Sequence, residues 1–449
     1  MNLLEFGYKQ LDITPGYGIP LCGYLNERPN CGAYDRLHIK TAVFRSANKD
    51  YAAIVSYDLC FVKADFIKEI ESALASEKSP LAGKVMYCAT HTHTGPYTTV
   101  CFTDASDSDY VAELKVATLK SLKSAFASLA PAELYAAQTE CTTLSFNRRY
   151  VMKNGKILTN PGKLNPDIVK PEGKTDPAIM MLEIRQNGHP ALLIANISNH
   201  ADTVGGNFVS ADWPGRMEAF IQNEIGFDLP VMTIIAPQGN INHFDVTSSV
   251  NQTGYEETKR IGKAYAAAII SARYRLQKIE NTAIKSYREE FFAPYLQLTD
   301  EEYAAAKTTF EKYKNETMAA GQDFTSEDIA KGTPFVMKFF AERAIGCREN
   351  PIKEKRYEQE MLITFGTEIA ILALPCEPFT EIGFAIRKIS KYPITFLAAL
   401  GMGEIGYVGL PENYGNGGYE TAPSRDKADR TVGITLIKTA EKLLTDSYS

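Results

Sequence analysis

The chain has 449 residues, 45% of them hydrophobic, and a formal net charge of −6. That is ample for a large core, and it argues against a nucleic-acid binder, which presents a basic face. Acidic and basic residues are interspersed, the start MNLLEFGYKQ lacks the basic-then-apolar layout of a secretory signal, and no run approaches about 18 apolar residues.

The expectation is therefore a cytoplasmic protein with no stable membrane insertion and no nucleic-acid partner. A homo-oligomer stays open. Eight cysteines (Cys22, Cys31, Cys60, Cys88, Cys101, Cys141, Cys347, Cys376) are scattered without a CxxC pair. Reduced thiols, several of them in apolar runs, are the expectation.

In chain order, YAAIVSYD (51–58) predicts a buried strand. VKADFIKEIESALAS (62–76) predicts a helix with Phe66, Ile67, Ile70 and Leu74 on one stripe, and KVMYCAT (84–90) the next strand. Together they form a β-α-β unit with a parallel pair. Further strands are expected at 191–198, 230–236, 368–375 and 394–400, with a helix over 255–272. Continuous apolar runs suit strands covered on both faces. The fold class expected is α/β: a mixed, largely parallel β-sheet sandwiched by helices.

Residues 299–345 differ. They open with a capping box, Thr299 with Glu302, and continue as charged helices. This predicts a helical insertion, either a lid or a surface hairpin with no part in a site. The chain as a whole, 1–449, is expected to be a single catalytic domain.

The loops after the predicted strands carry the chemistry, because ligands in α/β sheets bind beyond the strands' carboxyl ends. ATHTHTGP brings His91 and His93; ISNHADT brings Asn199 and His200. PQGNINHFD brings Gln238, Asn240, Asn242 and His243; LPCEPFTE brings Cys376 and Glu377; GMGEIGYVGLPENYGNGGYE brings Tyr407 and Tyr419. Four of the six histidines lie in these loops, which favours one convergent site. Two histidines and a carboxylate are a frequent ligand set for catalytic zinc, with a further position for water or substrate. If the 84–90 strand ran on, His91 and His93 would share one face.

These segments resemble the neutral, non-lysosomal ceramidases and their bacterial relatives. THTHTGP is similar to that family's T-H-T-H-S-G-P, NRR (147–149) to its N-R-S, and NHADT to its H-G-T. PQGNINHFD resembles its Q-S-N-x-G-D loop and LPCEPFT its L-P-G-E-F-T. YVGLPENYGNGGYE resembles its Y-V-T-T-x-E-E-Y…Y-E, and LDITPGYGIPLCGY its D-I-T-P…G-Y opening. The likeness runs from about residue 8 to 425.

What the resemblance implies is a Zn²⁺ held by His91, His200, Glu377 and Tyr407. His93, Arg148 and Tyr419 would hold the substrate amide and the oxyanion, with Arg149 the rival to Arg148. Gly239 stands where the family has serine, so a mechanism with that serine as nucleophile is closed here. Asn240 and His243 would then shape the substrate pocket beside Gly239. The reading is a zinc-dependent hydrolase that cleaves an amide (N-acyl) bond of a small molecule by metal-activated water. Cleavage of an ester or glycan bond, and a metal-containing protein that only binds its ligand, are the alternatives.

Overall fold

The structure is a computed structural model and describes residues 4–24, 27–98, 107–226, 228–317 and 326–448. Cys101 and residues 318–325 of the expected helical insertion lie outside the described residues. No disulfide joins two of the seven described cysteines. Among the described residues, no helix is long and apolar enough to cross a membrane.

Two sheets stack face to face. The larger runs, in spatial order, through Val231–Ile235, His189–Ile197, Ala178–Gln186, Ala130–Glu140, Leu4–Asp12, His38–Arg45, Tyr51–Tyr57 and Val85–Ala89, with Gln277–Lys278 beside Ala130–Glu140. The smaller runs through Ile284–Phe292, Tyr357–Phe365, Ile369–Leu374 and Ile394–Ala399.

Period-2 alternation explains the layering. Leu192, Ile194, Met232 and Ile234 share one core with Ile371 and Phe396 of the smaller sheet. Leu193, Ala195, Val231 and Ile235 share another with Met217 and Ile221 of the helix Asp212–Ile225 and Ile261 and Ile269 of the helix Tyr255–Ala272. The outer face of the smaller sheet, Leu362, Leu372 and Leu397, meets Ile382 and Ile386 of Thr380–Ile389 and Leu436 and Ala440 of Val432–Ser447. The architecture is thus helix, sheet, sheet, helix.

Buried Asn196 ties the sheets together. Its amide donates to the carbonyls of Ile234 and Leu397, each at 2.9 Å, and its carbonyl accepts from the Leu397 amide at 3.1 Å. Asn196→Ala is expected to cost about 2–4 kcal/mol, because the Leu397 N–H and two carbonyls lose their partner in a site closed to water. A urea midpoint within error of wild type would contradict this.

The expected strands, the 64–76 helix with its four buried apolar residues, the 255–272 helix and the Thr299 capping box are all present. The mixed α/β class stands, but the expected predominance of parallel pairing does not. The larger sheet has six antiparallel pairings and two parallel ones. One reason is the Asn187-Gly188 turn between Ala178–Gln186 and His189–Ile197, with φ of 51° and 79°. Two positive φ values in a two-residue loop make a hairpin, hence antiparallel neighbours.

The parallel pairs within the two large sheets are ones that matter for the site. They are Tyr51–Tyr57 with Val85–Ala89, His189–Ile197 with Val231–Ile235, and Ile369–Leu374 with Ile394–Ala399. Counted through the antiparallel steps, Val85–Ala89 runs against His189–Ile197. Sheet twist eases the conflict: six steps of roughly 20–25° turn one strand relative to the other by about 120–150°, most of the way to a reversal. The two ends of the sheet also approach each other, with Ser56 Oγ donating to Thr233 O at 3.2 Å. The loops after residues 89 and 197 therefore come to one place.

Candidate metal centre and cavity

The strand ends at Ala89, and His91 takes a left-handed conformation with φ of 65°. Alternation along a continued strand is therefore not what aims His91 and His93. The turn itself does so, held by His91 N–H to Leu59 O at 2.9 Å and His93 N–H to Ala201 O at 3.2 Å. A non-glycine residue in this region costs on the order of 1–3 kcal/mol and is retained where the surroundings enforce it.

His91 Nε2 lies 3.0 Å from Glu377 Oε2 and 3.1 Å from His200 Nε2. His200 Nε2 lies 3.3 Å from the same carboxylate oxygen. All three side chains are buried. Each imidazole is oriented from behind. His91 Nδ1 lies 2.8 Å from Cys60 O, and His200 Nδ1 lies 3.2 Å from Gln238 O. Neutral imidazoles that donate Nδ1–H to these carbonyls present both Nε2 lone pairs to a carboxylate, the second-sphere arrangement typical of metal-ligating histidine.

Such a cluster needs positive charge. Burial, reinforced by Arg148, depresses His200 to about 3, so it is neutral. Burial also disfavours charge on His91, but Glu377 outweighs it and raises the imidazole. Glu377 is held well below the carboxylate range: burial would raise it, and the two imidazoles overcome that. A proton on His91 answers one of the three close contacts; a divalent cation answers all three. Among the described residues, Glu377 Oε2 accepts no well-aligned hydrogen bond. The donor set of two imidazole nitrogens and a carboxylate oxygen fits a borderline-soft ion such as zinc.

Tyr407 is brought beside the centre by pairing of the short strands 377–378 and 407–408, in register Glu377 with Tyr407. Its ring lies parallel to His200, with centroids 6.4 Å apart. Burial, with Glu377 nearby, holds its hydroxyl above the ordinary phenol range. Tyr419 packs edge-on against Tyr407 at 5.6 Å.

Arg148 and its neighbour separate cleanly. Arg148 faces the centre, with one Nη 3.5 Å from His200 Nε2, the other donating to Gly239 O at 2.8 Å, and Nε 2.7 Å from Glu420. Arg149, fully buried, turns the other way to Glu172 at 2.5 Å and Glu420 at 2.9 Å. His93 Nε2 lies 3.3 Å from His91 Nε2, and its Nδ1 lies 3.4 Å from Asp202, which takes a 2.5 Å hydrogen bond from Tyr24. Burial holds His93 well below its usual range.

The three residues expected to shape the pocket are placed differently. Asn240 donates to Glu381 at 2.9 Å and accepts from Thr380 N–H at 3.0 Å, so its amide anchors the start of a helix. His243 Nε2 lies 2.7 Å from Gln252 O, in bonding range of that carbonyl. Gly239 lies under Glu377: a Cβ there would meet Glu377 O at 2.4 Å and the Phe379 ring at 3.0 Å.

The cavity over the centre has a volume of about 1000 Å³ and reaches from His91 and Glu377 to Phe339, Phe340 and Arg343. The helix Pro334–Glu349 therefore forms part of its wall. Sequence reasoning missed Glu420, Asp202 and Lys427. Glu420 was adjacent to Tyr419 and matched the Arg-Arg doublet in charge. Asp202 was two residues from His200. Lys427 carried no signal beyond its charge.

No family model matches the chain, and no curated protein matches it. Among solved structures, a ceramidase complexed with C2 superposes with a TM-score of 0.74 at 17% identity, over 99% of this chain and 76% of that one. The neutral ceramidase from Pseudomonas aeruginosa superposes with a TM-score of 0.73 at 17% identity, over 99% of this chain and 75% of that one. At that identity the likeness is one of fold, and the fold is that of the neutral ceramidases.

Proposed function

We propose that the chain is a zinc-dependent hydrolase that cleaves an amide bond of a small molecule. The observation that carries this is the meeting of His91, His200 and Glu377 within 3.3 Å of one another, both imidazoles pinned at Nδ1. These three would hold the ion, with Tyr407 as a fourth ligand. When bound, the ion would polarise the substrate carbonyl and bring the pKa of a water toward 7.

The protein's own groups do the rest. His93, neutral and braced by Asp202, takes a proton at Nε2 from the attacking water and passes it to the departing amine. Arg148 stays charged and donates to the carbonyl oxygen as it gains negative charge, aided by the Tyr419 hydroxyl. Preorganised donors of this kind are commonly worth about 3 kcal/mol each. Gly239 has no side chain and supplies no nucleophile, and the attacking group in this reading is water. The fold shared with ceramidases supports amide hydrolysis as the reaction.

A panel of N-acyl amines, amino acids and amino sugars tests this. Turnover is expected to stop with a chelator, return with zinc and fall about 10²–10⁴-fold in His93→Ala. A zinc-loaded protein inert on the whole panel would leave only a metal-containing binding protein.

A further inference from the structure

The parallel pair Tyr51–Tyr57 with Val85–Ala89 does more than place His91. Its register sets Tyr57 opposite Ala89, so the turn after the first strand lies beside the turn after the second. Thr90 N–H bonds Tyr57 O at 2.8 Å and His91 N–H bonds Leu59 O at 2.9 Å, which continues the alignment past the strand ends. Cys60 therefore comes against His91: its carbonyl oxygen lies 2.8 Å from Nδ1 and its Sγ 3.6 Å from the same nitrogen. At the other nitrogen of that ring, His93 Nε2 lies 3.3 Å from His91 Nε2. All three side chains are buried and line the cavity.

One ligand atom of each of Cys60, His91 and His93 lies within 4.8 Å of the other two. Ligand atoms around a tetrahedral ion stand roughly 3.3–3.6 Å apart, so closing this set asks for side-chain shifts of about 1 Å. His93 turns Nδ1 to Asp202 at 3.4 Å, which leaves its Nε2 lone pair for an ion. The set differs from His91, His200 and Glu377 in kind: it offers sulfur where the other offers a carboxylate oxygen. Thiolate selects soft ions and carboxylate harder ones. Glu377 is held well below the carboxylate range, so zinc enters the first set without displacing a proton from it. Cys60 must release its proton to solvent as the sulfur–metal bond forms, a cost that a thiophilic ion offsets best. A neutral imidazole offers one nitrogen lone pair, so the two sets, which share His91, exclude each other.

We propose that Cys60, His91 and His93 form a second, inhibitory site for a soft divalent cation of the cadmium type. An ion held there takes His91 from the zinc set and covers the His93 nitrogen that moves the proton, so its arrival stops the reaction. The inhibition rests on the hydrolase reading of the centre; the binding of the cation does not.

Cadmium chloride added to the zinc-loaded protein tests this. One equivalent should raise a thiolate-to-cadmium charge-transfer band in the ultraviolet, release zinc in step and stop turnover of the N-acyl panel. In Cys60→Ser and in Cys60→Ala the band should vanish. The cadmium needed to halve each variant's own rate should rise at least about tenfold, the loss that even a residue behind a metal ligand carries. Cadmium-edge X-ray absorption on wild type, which needs no variant, should show one sulfur and two imidazole nitrogens around the ion. Cadmium that replaces zinc inside a shell of nitrogen and oxygen alone, or a band that persists in both variants, overturns the site. The band and the shell are read without turnover. In a protein inert on every amide the hydrolase reading fails, and the sulfur in the cadmium shell still decides for or against the site.

Discussion

Gly239→Ser is expected to inactivate the protein, not to restore a missing nucleophile. A Cβ at 239 would sit 2.4 Å from Glu377 O and 3.0 Å from the Phe379 ring, and Gly239 N–H already bonds Pro378 O at 2.9 Å. The backbone on both sides is committed, so the new atoms push Glu377 away from His91 and His200. Overpacking of this kind costs about 1–3 kcal/mol of stability. A shift of about 1 Å in a positioned group costs on the order of 10² in rate. Gly239→Ala should behave the same way, which separates steric loss from hydroxyl chemistry. Metal content, melting temperature and turnover check it. Full zinc occupancy with wild-type activity in either variant would mean that the contact is not tight.

The second large effect separates two adjacent arginines. Arg148→Met should lower kcat by about 10²–10³ while the protein stays folded. Glu420 keeps Arg149 at 2.9 Å and the Thr159 hydroxyl at 2.7 Å, so its carboxylate is not abandoned. Arg149→Met should do the reverse, costing about 3–5 kcal/mol of stability because Glu172 loses its guanidinium and Glu420 one of two. Urea midpoints and kinetics on both variants read the difference. Equal kinetic losses with equal midpoints would show that neither assignment holds.

The sequence carried the fold unevenly, for a physical reason. Strands such as Val85–Ala89 and Ile369–Leu374 are buried along their whole length and stand out as unbroken apolar runs. Ala130–Glu140 and Ile284–Phe292 are half-exposed antiparallel strands in which polar or charged residues interrupt the apolar ones, and they gave no such run. His38–Arg45 hides better still, because its buried Lys40 is neutralised by Glu218 at 2.6 Å. Missing those strands made the sheet look single and largely parallel. The Asn187-Gly188 turn was a local signal of a hairpin in that sheet.

The same contrast holds at the centre. His91, His200 and Glu377 were legible because each follows an apolar strand, and the structure brings them together. Asn240 and His243 follow a strand too, yet their side chains go to a helix start and a loop carbonyl. Position after a strand fixes which loop a residue occupies, not which way it points. Glu420 and Asp202 lie against Arg148 and His93, and a residue placed only by its contact with another has no motif of its own.

The most direct test is anomalous diffraction at the zinc edge from crystals of the zinc-loaded protein. The account predicts one strong peak bounded by His91 Nε2, His200 Nε2 and Glu377, and its loss in His200→Ala. Crystals with no peak there, or with the metal bound elsewhere and His200→Ala unaffected, would contradict it.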